Sequence, residues 1–130
     1  MTGIYGNGVA LSEKVLDQLW ARQAVTLNNI SNVDTPGFKS QYVTFEEELG
    51  RRISEANQVR RHQKRAVSDA IDRSRSWLNT TWDESSRLDG NNVDMDQEQV
   101  ELVRTAYEYQ FLLNSFTNDI TRLKNAAKAF

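Results

Sequence analysis

The last thirty-five residues, Asp96–Phe130 (DQEQVELVRTAYEYQFLLNSFTNDITRLKNAAKAF), decide how the chain folds. Leu102, Ala106, Tyr109, Leu113, Phe116, Ile120, Leu123, Ala127 and Phe130 follow one another at alternating spacings of four and three. That seven-residue repeat is the seam of a coiled-coil helix. Neither Gly nor Pro interrupts it. Acids gather at its start (Asp94, Asp96, Glu98, Glu101) and bases at its end (Arg122, Lys124, Lys128), the polarity that the helix macrodipole favours. At ~1.5 Å per residue such a helix is roughly 50 Å long, and its apolar row needs a partner.

A partner stands at the other end of the chain. Val9, Leu16, Gln23 and Ile30 form one row of sevenfold spacing, Ser12, Leu19, Thr26 and Val33 a second, and Trp20 and Leu27 widen the stripe. Gln23 and Thr26 weaken the seam, but polar seam residues can fix register. An ordinary amphipathic helix on a globular core is the plainer reading; two matched heptad segments favour their packing together. Asn28, Asn29, Ser31 and Asn32 supply the residue types that a helix C-terminus needs. Asp34-Thr35-Pro36-Gly37 then stops the helix. Proline biases Thr35 toward an extended backbone, and Pro36-Gly37 fits the central pair of a type II turn.

Between the ends the signals are shorter. Tyr42, Phe45, Leu49 and Ile53 share a helical face, and Thr44 with Glu47 reads as a capping box, which predicts a helix over about 44–53. Residues 39–45 read equally well as extended. Residues 51–75 hold eight bases against three acids with few apolar positions, and read as a basic loop or a loose helix. Trp77, Leu78 and Trp82 bracket a Thr-rich stretch of strand propensity. Asp89-Gly90-Asn91-Asn92 is a turn, after which Asp94 or Asp96 caps the long helix with Gln97 or Gln99 three residues on. The expected fold is mainly α, with the long terminal helices paired as a coiled coil. Residues 1–34 and 96–130 form that helical part. Residues 35–95 form an outer middle segment with a turn, a short helix, a basic loop and short β elements.

Composition removes most function classes. The chain has 130 residues, one domain's worth, with 38% hydrophobic residues and a net charge of −2. Mean hydropathy is −0.66, yet the apolar residues are ordered by period, which argues for elongated helices rather than disorder. There is no cysteine, hence no thiolate nucleophile or disulfide. No apolar run approaches the ~20 residues that span a bilayer. Met1–Val9 lacks the basic flank and apolar core of a cleaved signal, so export, if any, is expected to read something else. The single histidine, His62, sits in a basic run as a surface imidazole, and Glu46, Glu47 and Glu48 point in different directions around a helix. No catalytic residue, metal ligand or cofactor is predicted, and the chain does not read as an enzyme. A peptidoglycan hydrolase would lack an acid in a supporting environment. The alternative function is a nucleic-acid or regulatory binding module built on residues 51–75. The overall acidic balance and the lack of an interleaved aromatic oppose it.

Asn28-Asn29-Ile30-Ser31-Asn32-Val33-Asp34-Thr35-Pro36-Gly37-Phe38-Lys39 closely resembles the N-terminal signature of bacterial flagellar axial proteins, the rod, hook and related subunits. Ser31 stands where that pattern has alanine. The short length, the uninterrupted Asn32–Pro36 run and the element Gly90–Glu98 are similar to the proximal rod type. The resemblance implies a structural subunit that self- and co-assembles into the helical drive shaft for motility, with its terminal helices in the tube wall. The implied signature residues are Asn28, Asn29, Ile30, Asn32, Thr35, Pro36, Gly37, Phe38 and Lys39. The implied assembly seam is Leu16, Leu19, Ile30, Leu102, Tyr109, Leu113, Phe116, Ile120, Leu123 and Phe130. Off-seam residues Val103, Tyr107, Phe111 and Leu112 would meet neighbouring subunits. Expected partners are other copies of the chain, other rod proteins, the rod adaptor protein, the membrane (MS) ring and the export gate, with no nucleic acid and no direct membrane span. The expected location is the periplasmic rod of the basal body, reached through the flagellar type III pathway without a cleaved signal.

Overall fold

A computed structural model describes residues 6–58, 63–82 and 87–129. The elements run α1 (Gly6–Ser31), β1 (Gln41–Thr44), α2 (Glu46–Asn57), α3 (Gln63–Arg73), β2 (Trp77–Thr80) and α4 (Met95–Lys128). The fold class is the one expected: mainly α, with long terminal helices and a small two-stranded sheet between them.

α1 and α4 pack against each other in opposite directions. Asn29, near the end of α1, bonds Glu98 at the start of α4. One turn or two away, Arg22 and Arg104 line the same cleft. Leu19 and Thr26 are buried, as is Thr105 on α4, while Leu16, Ile30, Leu102, Tyr109, Leu112, Phe116 and Ile120 are half-buried. Trp20 and Leu27, expected to widen the inner stripe of α1, are exposed instead. Each lies one residue, about 100° of rotation, from the buried Leu19 or Thr26, so neither shares their face. α4 begins at the cap the sequence offers. The Asp94 carboxylate accepts from the backbone N–H groups of Asp96 and Gln97 at 3.1 and 3.3 Å.

The middle segment folds onto the first half of α1. Phe45, Leu49 and Ile71 form a buried core, against which Ala10, Leu11 and Val15 of α1 pack with Ile53 and Val67. Lys14 donates to the carbonyls of Asp72 and Ser74 at 3.2 and 3.3 Å, closing the end of α3 with a cation where the dipole is negative. β1 and β2 pair antiparallel, Gln41 opposite Thr80 and Thr44 opposite Trp77.

Two expectations for this segment fare differently in the structure. Of the loop and helix readings of residues 51–75, the described residues take the helical one rather than the basic loop: α2 runs to Asn57 and α3 covers Gln63–Arg73. The charge run hides a helical pattern. Glu48 bonds both Arg51 (3.0 Å) and Arg52 (2.5 Å), and Arg51 also bonds Glu55 (2.6 Å), all at i,i+3 or i,i+4 spacing. Glu48 is held below the usual carboxylate range by its bonds to Arg52 and Arg51. Second, no Thr44–Glu47 capping box forms. Thr44 ends β1 and its hydroxyl accepts from Asn79, so α2 starts at Glu46 after Phe45, which gives no side-chain cap. His62 and Arg60–Arg61 lie outside the described residues.

Candidate functional site

The signature residues form a junction where α1 ends, β1 begins and the loop before α4 returns. α1 stops because its last carbonyls are taken up locally. The Asn28 carbonyl accepts from the Asn32 backbone (3.2 Å), the Asn32 side chain (2.8 Å) and the Ser31 hydroxyl (2.9 Å), and the Ile30 carbonyl accepts from Val33 N–H. Thr35-Pro36-Gly37-Phe38 is the expected turn: Phe38 N–H bonds the Thr35 carbonyl at 3.2 Å, and Gly37 has φ +72°. A residue with a Cβ is strained at that φ even though open space surrounds Gly37.

Three buried or half-buried asparagines clamp this turn to distant chain. Asn29 is 1% exposed; its amide donates to the Gln41 carbonyl (2.7 Å) and to Glu98 (3.2 Å), and its oxygen accepts from Gln41 N–H (2.9 Å). It thus bonds β1 as a neighbouring strand would, while lying on a helix. Asn91 is fully buried and donates to the carbonyls of Asn32 and Thr35, both at 2.9 Å, while accepting from Val93 N–H at 2.8 Å. Asn92 accepts from Ser40 N–H at 2.6 Å and donates to the Thr81 carbonyl at 2.9 Å. Lys39 reaches the Gly90 carbonyl at 2.6 Å, and Gly37 N–H the Asp89 carbonyl at 2.8 Å. Arg87 donates to the Val33 carbonyl. Gly90, at φ +80°, lies close to Gly37: a Cβ there would stand 3.6 Å from the Gly37 Cα.

The charges beside the junction are unevenly compensated. Arg22 makes a bidentate bond to Glu46 (2.6 and 2.8 Å), at the N-terminus of α2. Burial pushes Glu46 up, but the Arg22 hydrogen bond and charge outweigh it and hold the carboxyl below its ordinary value. Glu98 goes the other way. Burial raises it, the negative charges of Glu101 and Asp94 add to that, and the Asn29 bond only partly opposes them. A cleft of about 450 Å³ lies here, lined by Arg22, Gln41, Tyr42, Glu46, Glu98 and Arg104 among others. Among the described residues no group of His, Cys, Asp or Glu is placed to hold a metal ion. The hydrogen bonds of the junction join one part of the chain to another and aim no reactive group at open space.

A family model described as "Flagella basal body rod protein" matches residues 16–39, the end of α1 and the whole turn. The chain is 34% identical over 128 residues to the flagellar basal body rod protein FlgB of Borrelia hermsii, covering 88% of each chain. To FlgB of Bacillus subtilis it is 30% identical over 112 residues, 86% of each, and to FlgB of Escherichia coli K12 28% over 115 residues, 83% of each. The chain belongs to the FlgB family. It is a structural subunit of the bacterial flagellar basal body rod and assembles with other components of the basal body. The likeness to FlgB spans the middle segment as well as the ends.

Of the residues singled out in the sequence, all nine of the signature fall in this junction; Asn29 is buried, and Thr35, Pro36 and Gly37 are exposed. The assembly-seam residues are distributed along the helix pair. Leu19 is buried, Leu16, Ile30, Leu102, Tyr109, Phe116 and Ile120 are half-buried, Leu113 and Leu123 are exposed, and Phe130 lies outside the described residues. The sequence did not single out Asn91, Asn92, Arg87 or the Arg22–Glu46 pair. Asp89–Asn92 carries the signal of a turn and Gly90–Glu98 a resemblance to the rod pattern, but neither says that two of these amides bond backbone groups 50 or more residues away. Nothing in these findings favours a nucleic-acid module on residues 51–75, where Arg51 and Arg52 are already paired with acids of their own helix.

Proposed function

We propose that the α1–α4 pair is the wall-forming part of this rod subunit, that residues 35–95 are its outer part, and that the subunit works by assembly, without catalysis. The observation that carries this is an exposed apolar row on α4: Val100, Val103, Tyr107 and Phe111 are 68, 55, 74 and 77% exposed. They recur at spacings of three and four, as a helix face does, on a chain whose composition is otherwise polar. A row of that size left in water marks a protein–protein surface. The seam residues Leu16, Leu19, Ile30, Leu102, Tyr109, Phe116 and Ile120 hold the pair together, and the exposed Leu113 and Leu123 extend that surface.

In this reading the neighbours are other copies of the chain, other rod proteins and the rod adaptor protein, with the membrane ring and export gate beneath. The subunit reaches the periplasm through the flagellar type III pathway with no signal removed. No described helix is long and apolar enough to cross a membrane. The test is motility complementation with Phe111→Lys, paired with the melting curve of the purified variant. The expected outcome is an unchanged melt, since the side chain is exposed, with motility lost. A motile strain carrying Phe111→Lys refutes the reading. For export, the N-terminal sequence of the protein recovered from basal bodies should begin as the translated chain does, apart from any loss of the initiator Met.

A further inference from the structure

α4 is eight residues longer than α1, 34 against 26, and every described residue from Thr121 to Ala129 is exposed. At ~1.5 Å per residue, eight residues amount to roughly 12 Å of helix. This terminal stretch carries Arg122, Lys124 and Lys128 together with Leu123, which is 38% exposed. None of the three bases has an ion-pair partner among the described residues. The opposite end of the same helix carries the reverse charge. Asp94, Asp96, Glu98 and Glu101 stand in its cap and first two turns, and Asp96 has no ion-pair partner among the described residues. Asp96, Gln99, Val100, Val103 and Arg104 line a shallow, largely apolar groove there.

We propose that the basic end of α4 in one copy of the chain docks on the acidic, valine-lined start of α4 in a second copy, in a head-to-tail contact. It rests on the reading of the helix pair as the assembling part of the subunit. Two independent complementarities fit this occupant. Three bases without ion-pair partners meet an acidic end whose Asp96 is likewise without one, Arg104 in the groove being already paired with Glu101 and Glu108, and Leu123 with Ala126 and Ala127 offers small apolar bulk for the exposed valines. The two surfaces are different, so the contact is heterologous, the kind that builds an open helical array unless its rotation closes a ring. The contact is also expected to weaken with salt, since its charges are exposed.

The test is sedimentation of the full-length chain at millimolar concentration and low salt, with two charge reversals, Asp96→Lys and Lys124→Glu. Wild-type chain is expected to self-associate. Each variant alone should self-associate about tenfold more weakly, and an equimolar mixture of the two should recover wild-type behaviour, because each supplies the surface the other lacks. A wild-type chain that stays monomeric, or association indifferent to both reversals, overturns the proposal. So does loss of motility in the variants without change in self-association, since the occupant is then a different rod subunit. Those outcomes leave the rod-wall reading standing; that reading fails separately, through the Phe111→Lys strain.

Discussion

Asn91 shows how a single side chain can hold two ends of a chain together. Its amide adds a second hydrogen bond to two carbonyls that already accept from Thr35 and Phe38 N–H, and its oxygen takes up the Val93 N–H, in a position with no access to water. A buried N–H left without a partner costs about 1–3 kcal/mol, and Asn91→Ala does this to Val93 while each carbonyl keeps its backbone bond, so the chain should lose about 1–3 kcal/mol in urea denaturation. Asn91→Asp should be at least as damaging, because it replaces the donor with a buried charge facing two carbonyl oxygens. A loss below about 0.5 kcal/mol for either would remove Asn91 from this role. Glu98 gives a prediction of opposite sign. Its folded pKa is raised above the unfolded value by burial and by Glu101 and Asp94, so its contribution to stability is complete below the unfolded pKa and is lost as pH rises through the folded one. Glu98→Gln keeps an oxygen for Asn29 and removes the charge. It should therefore raise the melting temperature at pH 7, with the gain shrinking to nothing below about pH 4. A gain that persists unchanged in acid would mean the charge is not the cause.

At the scale of elements, the turn after α1 sets where the middle segment leaves the helix pair. Gly37→Val must place a β-branched residue at φ +72°, while Ser40→Val keeps the backbone N–H that bonds Asn92. Gly37→Val should therefore cost about 1–2 kcal/mol and impair motility, and Ser40→Val should do neither to the same degree. Equal motility of the two strains would show that the turn does not steer assembly. This turn, both terminal helices and the Asp94 cap were legible in the sequence because each is written in residues within a few positions of one another. The elements read wrongly or left open depend on distant chain. Thr44 and Glu47 make a plausible capping box until β1 pairs with β2, which starts 33 residues after β1 ends and claims Thr44 for the sheet. The basic run left loop and loose helix both open because its bases outnumber its acids. Glu48 alone holds two of those arginines, and Ile53, Val67 and Ile71 gain a covered face only where the two helices meet each other and the Phe45–Leu49 core. In the junction, the signature includes Asn29, but what Asn29 bonds, Gln41 and Glu98, is set by the tertiary approach of β1 and α4.

For the whole molecule, the single chain leaves much apolar surface in water. Trp20, Trp77, Trp82, Tyr107 and Phe111 are all 60% exposed or more. A chain that kept such surface for its own stability would bury it. The described end of α4 is the sharpest case, since residues 121–129 are all exposed and no buried side chain anchors them. Helix of that kind is held by little more than its own propensity, which for a short terminal stretch is marginal in water. In the dilute chain, amide hydrogens of these last turns should exchange fastest among the helical residues, while those around Thr105 exchange slowest within α4. Deleting residues 121–130 should then change the stability of the isolated chain by no more than about 0.5 kcal/mol, the range of ordinary surface changes. The same deletion should abolish incorporation into the basal body and leave the strain non-motile, because what it removes is used only between subunits. Two results would contradict this division of labour. A large fall in stability of the isolated chain would assign the segment to its own fold, and a motile deletion strain would leave it without a role in the rod.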